Sequence, residues 1–290
     1  CPKNQCANDG AFDATNATIR PNAQGRGSFL AITGRGHGTA SQAMAFLAQA
    51  PATRGIGALI QNWEGFGNVN LGLGLGIPID VPGSQPGVDV ALQLQGNALT
   101  IPEFDLQFDA ISGDLHFNTQ TGLQGDALQA SLFGEPVTVT LSSAADAGRT
   151  TTTAVDISGK VSVQALSAWP RQSRFVVDLM SGIRGEMDYV ARLDVVQPAA
   201  GADTASGIVA QRSLNIQSAL QGVQLDYPAP FKKAAGDTTN FSLDIDFLDD
   251  RQEIRASLAE LASLSIGIAE GRVRDGLVYL GAQDQTLNVR

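Results

Sequence analysis

Histidine and cysteine, on which most metal and nucleophile sites rest, are nearly missing from this sequence, which has two of each. His37 and His116 lie far apart, so a zinc site has no ligand set to draw on and no metal is expected. Cys1 and Cys6 are close enough to form a disulfide in an oxidising compartment, and such a ring would staple only the terminus; otherwise they are two idle thiols. Charge is sparse and unbalanced, with Lys+Arg 19 against Asp+Glu 29 and a net charge of -10. An acidic surface repels phosphates, which excludes nucleic acid as a partner and polybasic attachment to an anionic membrane. Long apolar runs are missing too, and none approaches the ~20 residues of a membrane-spanning helix. The chain opens at Cys1 without an initiator methionine or a signal segment. The expectation is a mature product or a fragment, with any membrane anchor outside it.

What remains is alternation. Phe104, Leu106 and Phe108 alternate with Asp105, Gln107 and Asp109; Leu115 and Phe117 alternate with Asp114, His116 and Asn118; Val137, Val139 and Leu141 alternate with Thr138 and Thr140. Strand side chains point to opposite faces in turn, so one face is greasy and the other wet. The Gly and Pro residues of 112–114, 121–123 and 133–136 suit reversals between strands. Upstream, Val69, Leu71, Leu73, Leu75 and Ile77 share a face whose reverse carries Gly72, Gly74 and Gly76, and Val88, Val90, Leu92 and Leu94 follow beyond a Pro-rich loop at 79–87. Downstream the same grammar runs through Val155 to Val163, Phe175 to Leu179, Met187 to Val195, Leu214 and Ile216, Leu243 to Phe247, Ile254 to Leu258 and Leu264 to Ile268. It ends on Leu287 and Val289, as a piece of a longer sheet would. Residues 197–207 read as a flexible loop.

One helix stands out. Residues 39–50 carry good helix formers, with Ala43, Phe46, Leu47 and Ala50 at helical spacing and Pro51 as a stop. Its apolar stripe reads as a packing face. Residues 1–60 thus form an N-terminal segment of short strands and a helix, and 61–290 an all-β region.

Candidate chemistry is thin. Residues 34–38, GRGHG, miss the dinucleotide fingerprint in spacing and frame and read as a flexible turn. His37 has no nucleophile tied to it by motif, and His116 falls on a polar face. Asp244, Asp246, Asp249 and Asp250 depart from calcium-loop spacing; alternate aspartates on a wet face, with a hairpin turn at 249–250, account for them. The motifs GxSxG and HExxH and paired CxxC are absent. Neither an enzyme nor a cofactor is expected.

The segment from Phe46 to Leu141, with FLAQAP (46–51), IPI (77–79), ISGDLHF (111–117) and ASLFGEPV (130–137), resembles the YhdP family of AsmA-like, TamB-related proteins. SALQGVQLDYPAPFKK (218–233) and RDGLVYLG (274–281) look like the distal part of the same repeat region. The resemblance implies an extended, curved antiparallel sheet forming a taco-like hydrophobic groove. It further implies a periplasmic bridge in a Gram-negative cell, anchored in the inner membrane outside this chain, that carries phospholipid between inner and outer membranes and supports outer-membrane biogenesis, with other envelope proteins as further partners.

Strands of this pattern must bury their apolar face against a second sheet, in a closed barrel or against a ligand. For an open groove, acyl chains are the filler. Candidate lining residues are Leu92, Leu94, Phe104, Leu106, Phe108, Leu115, Phe117, Val137, Val139, Leu243, Ile245 and Phe247. The rival is a structural or adhesive β-sandwich that closes on itself, and the weakest alternative is a β-helix-like carbohydrate-active enzyme, for which no acidic pair is identified.

Overall fold

The computed structural model describes residues 11–21, 27–49, 60–79, 86–146, 150–170, 174–198, 211–248, 251–270, 272–281 and 286–289. Cys1 and Cys6, the turn at 249–250 and residues 199–207 of the expected loop lie outside the described residues. Among the described residues the chain is all-β, with seventeen strands in antiparallel pairings and few short helices.

The first strands are β1 (Ala11–Pro21), β2 (Ser28–Thr39), β3 (Glu64–Phe66), β4 (Asn68–Ile79), β5 (Gly87–Ile101), β6 (Leu106–Asn118), β7 (Gly122–Leu132), β8 (Glu135–Asp146) and β9 (Thr150–Ser162). After them come β10 (Ile183–Pro198), β11 (Gln211–Ser218), β12 (Val223–Leu225), β13 (Phe241–Phe247), β14 (Arg251–Leu258), β15 (Ala262–Ala269), β16 (Arg272–Leu280) and β17 (Thr286–Val289). The order is β1, β2, β4, β5, β6, with β3 added onto the far end of β5. Strands β6 to β9 are neighbours in sequence order, and β9 pairs with β10. From β10 the sheet runs through β11, β13, β14, β15 and β16 to β17, while β12 pairs with the start of β10. Two compact units divide the chain: one holds residues 1–131, 140–153 and 198–207, the other 132–139, 154–197 and 208–290.

Helix α1 (Ala40–Gln49) forms where expected. A reciprocal cap fixes its start: the Gln42 amide donates to Thr39 Oγ1 at 3.2 Å, and the Thr39 amide donates to Gln42 Oε1 at 2.9 Å. That T-x-x-Q box satisfies two otherwise orphaned amides. Residues 133–134 make a tight reversal with both φ positive, 55° at Phe133 and 83° at Gly134, the geometry of a two-residue hairpin.

Four expectations fail locally. Residues 112–114 do not reverse; they lie inside the unbroken β6, where the space a Gly113 side chain would fill is taken by Leu128 of β7. Residues 34–38 are strand rather than turn, because Gly34, Gly36 and Gly38 sit opposite Leu73, Leu71 and Val69 and leave room for those bulky neighbours. The run Val155 to Val163, whose residues 158–160 read as a break between two short strands, is not broken there. It is one strand that ends at Ser162, whose hydroxyl accepts from the Ala165 amide at 3.1 Å and caps α2 (Val163–Ser167). Residues 175–179 alternate like a strand but belong to helix α3 (Arg174–Met180), drawn out of the sheet by Met180, which packs with Val163 of α2.

Candidate functional site

Residues paired in register on neighbouring strands project from the same face, so the pairings assemble the apolar positions into rows that run across the strands. In the first unit one row reads Gly36, Leu71, Leu92, Leu115 and the next Gly34, Leu73, Val90, Phe117, with Ile32, Leu75 and Val88 beside them. The first row continues into β8, since Gly125 is bare where Leu115 and Leu141 close over it. Of the expected lining residues, Leu92, Leu94, Leu115 and Phe117 therefore share one face.

Leu106 and Phe108 reach that face by a detour. Register shifts in β5 between Gln95 and Leu99, with Ala110 at φ 52° on the partner strand, change the phase of both strands together, so Leu99 still meets Phe108 and Ile101 meets Leu106. Buried Asn97 holds this irregularity, its side-chain amide donating to the carbonyls of Phe66 at 3.1 Å and Asn68 at 3.0 Å. Phe104 does not join the others as a strand residue. It ends a 3-10 turn, Pro102–Phe104, and the left-handed Asp105, φ 48°, separates it from β6. Val137 and Val139 lie on β8; Val137 is buried against the bare Gly159 of β9.

The second unit repeats the arrangement. One row is Leu193, Leu214, Ile245, Ile254, Ile266, and the next is Ala191, Ile216, Leu243, Ala256, Leu264, Val278. Both are wholly apolar. Leu243, Ile245 and Phe247 thus lie on one face, as their alternation requires. On one side of these rows the face is capped: Phe241 and Leu258 pack under Leu220, Val223 and Leu225, with Val163 of α2, Met180 of α3 and Met187 of β10. The buried ammonium of Lys233 fastens this cap, donating to the carbonyls of Leu220 at 2.7 Å, Val223 at 2.8 Å and Ala234 at 3.1 Å. Burial pushes the Lys233 ammonium below its usual range, against the opposing pull of Asp237. Tyr189, two residues from Ala191 and on the same face, buries a hydroxyl with no partner among the described residues; burial pushes its ionisation up to about 12.

The opposite face carries the polar and charged side chains, interrupted by Ala91 in the first unit and by Val190 and Leu277 in the second. In the first unit Asp89 accepts from Asn118 at 2.9 Å and lies 3.0 Å from His116 Nε2. The Asn118 hydrogen bond, aided by His116, holds the Asp89 carboxyl below its usual range against the opposing effect of burial. In the second unit Arg192 pairs with Asp156 and Asp194, Asn215 donates to Asp244 at 2.7 Å, and Arg255 donates to Asp246 at 2.6 Å. The aspartates 244 and 246 are thus cross-strand partners on a wet face. Among the described residues no group of three His, Cys, Asp or Glu is placed to hold a metal, and no helix is long and apolar enough to cross a membrane.

One feature escaped the sequence reading. Arg212 is in phase with Leu214 and Ile216, so it stands on the apolar face, in a row with Val195, Phe247 and Gln252. The signal was its parity, which only a known register turns into a position.

No curated protein and no solved structure matches the chain. The family profile described as YhdP protein matches residues 10–290, nearly the whole length, and the chain therefore belongs to the YhdP family.

Proposed function

We propose that this chain is a section of a bridge-like lipid-transfer protein of the bacterial envelope, in which the apolar sheet face is the floor of a groove for phospholipid acyl chains. Membership of the YhdP family supports an envelope role in lipid transport of the AsmA-like kind. On this reading the section lies in the periplasm, its inner-membrane anchor is outside this chain, and no catalytic step is involved.

The observation that carries the reading is the pair of apolar rows in the second unit. From β10 they span four and five strand pairings, about 19 and 24 Å at ~4.8 Å per strand, and lie about 7 Å apart. A bilayer core about 30 Å thick allots ~15 Å to the chains of each leaflet, so the rows are longer than one acyl chain. Their residues Leu214, Ile216, Leu243, Ile245, Ile254, Leu264 and Ile266 are only half-buried. Fully burying such a side chain is worth about 1.5–3 kcal/mol, so a flexible apolar filler gains on each contact. Those contacts are nonpolar and undirected, which lets a chain slide.

The test is native mass spectrometry on protein purified from a bacterial periplasm without detergent, with uptake of a fluorescent phospholipid as the second readout. Copurified phospholipid that is lost in Ile254→Asp and in Ala256→Trp, with circular dichroism unchanged, is the expected outcome. A clean apo mass with no uptake by the wild type overturns the groove and favours a sandwich closed on itself.

A further inference from the structure

We propose that Arg212 is the headgroup-reading residue of this face, pairing with the phosphate of an anionic glycerophospholipid whose acyl chains lie on the adjacent apolar rows. The proposal rests on the lipid-groove reading and adds a polar selectivity to it.

The argument is one of position. Among the described residues of β10 to β16 that the register places on the apolar face, Arg212 is the only charged one. It stands in the outermost row, with Val195, Phe247, Gln252, Ile268 and Val273. The next row inward, Leu193 to Ile266, is purely aliphatic. A lipid whose chains lie along the inner rows with its glycerol at their β10 end has its phosphate beside β10 and β11, and Arg212 of β11 is then the charged side chain within reach.

The chemistry of Arg212 fits that task. Its guanidinium carbon lies 5.9 Å from the ring centroid of Phe247, so an aromatic face holds the cation against the apolar surface. Arg192, Arg251, Arg255 and Arg274 each pair with a carboxylate. Arg212 pairs with none among the described residues and is exposed. Its planar fork of donors therefore stands open, and that fork matches a phosphate bidentately. The net charge of -10 disfavours adsorption onto an anionic surface, but it does not oppose one local cation that engages one headgroup at a time, because screening confines each interaction to about 10 Å at 0.1 M salt.

Two probes with the same fluorescent acyl chain separate the proposal from the reading beneath it: phosphatidylglycerol, which carries the phosphate, and diacylglycerol, which lacks it. Wild-type protein is expected to bind phosphatidylglycerol about tenfold more tightly at low salt, the scale of one charge-assisted hydrogen-bonded contact, with the preference shrinking as salt is added. Arg212→Gln removes the preference and its salt dependence while diacylglycerol binding stays unchanged, and Arg212→Lys keeps part of it. Wild-type uptake of both probes with no change in Arg212→Gln overturns the role of Arg212 and leaves the groove standing. Wild-type uptake of neither probe overturns both.

Discussion

The two units present the same alternation but cover it differently. In the first, Val69, Val90, Leu92 and Phe117 join Ala40 of α1 in one buried cluster, with Ala43 packed against it; Val90 is 2% exposed and Phe117 5%. In the second, no residue of β13, β14 or β15 is fully buried. The cap fastened by Lys233 covers one margin of the face and leaves the central rows half-open. An alternating pattern therefore says which side of a strand is apolar, and is silent on what covers that side.

The sharpest way to break this comparison is to truncate one residue in each unit. Phe117→Ala is expected to cost about 3–5 kcal/mol, the range for a large side chain removed from a packed core. Ile245→Ala, on the half-open face, is expected to cost about half the usual value for a buried isoleucine, about 1–2 kcal/mol. Urea unfolding with and without added phospholipid measures both. Equal costs in lipid-free protein would mean that the second face is covered as well as the first. A gap that narrows when lipid is added would identify the filler.

The cap of the second unit gives the next largest effect. Lys233→Met removes the donor to three carbonyls and leaves them partly unpaired within a buried loop, which is expected to cost about 2–3 kcal/mol. The loss should expose Phe241 and Leu258, giving a rise in dye binding to apolar surface that Lys233→Arg does not share in full. Tyr189 sharpens the same point with a smaller change. Its ionisation is raised to about 12 from 10.0, so the folded form holds its proton where the unfolded chain has lost it. This contribution to stability is complete below pH 10 and disappears as pH rises through 12. Tyr189→Phe should abolish the part of the alkaline destabilisation that lies in this window, and should raise stability slightly at neutral pH by removing an unpaired hydroxyl. Absorbance titration of phenolate in the two proteins checks the assignment.

Much of this was legible without coordinates. The apolar sides of β4 and β5, the helix beginning near Thr39 and the polar placement of His116 and Asp244 follow from period and composition alone. What was not legible depended on partners distant in sequence. The straight run of β6 through Gly113 is decided by Leu128, which no local rule can bring near. Residues 175–179 look like a strand until Met180 has a cluster to dock in. Phe104 is in phase with Leu106, but Pro102 and the left-handed Asp105 place it in a turn. Whether the apolar face is lidded or open depends on where α1 and residues 220–233 fold back, which alternation does not encode.

The smallest expected effect tests the other half of the comparison. If the units differ only in what covers the apolar side, their polar sides should respond alike. Asp89 faces His116 and Asn118 in the first unit, Asp246 faces Arg255 in the second, and all four ionisable side chains are a third or more exposed. Exposed pairs contribute typically 0.2–1 kcal/mol, because water screens the charges and two side chains are immobilised. Double-mutant cycles on Asp89 with His116 and on Asp246 with Arg255 should therefore return couplings of similar, small size that fade with added salt. The first carries a pH signature. The carboxyl of Asp89 is held below its usual value by Asn118 and His116, so its stabilisation is present above pH 4 and is lost as pH falls through the lowered value. Asp89→Asn should flatten that acid limb by removing the stabilisation present at neutral pH, a loss of about 0.2–1 kcal/mol. A coupling of several kcal/mol at either pair would mean that this polar face is shielded from water, and the two units would then differ on both sides of the sheet.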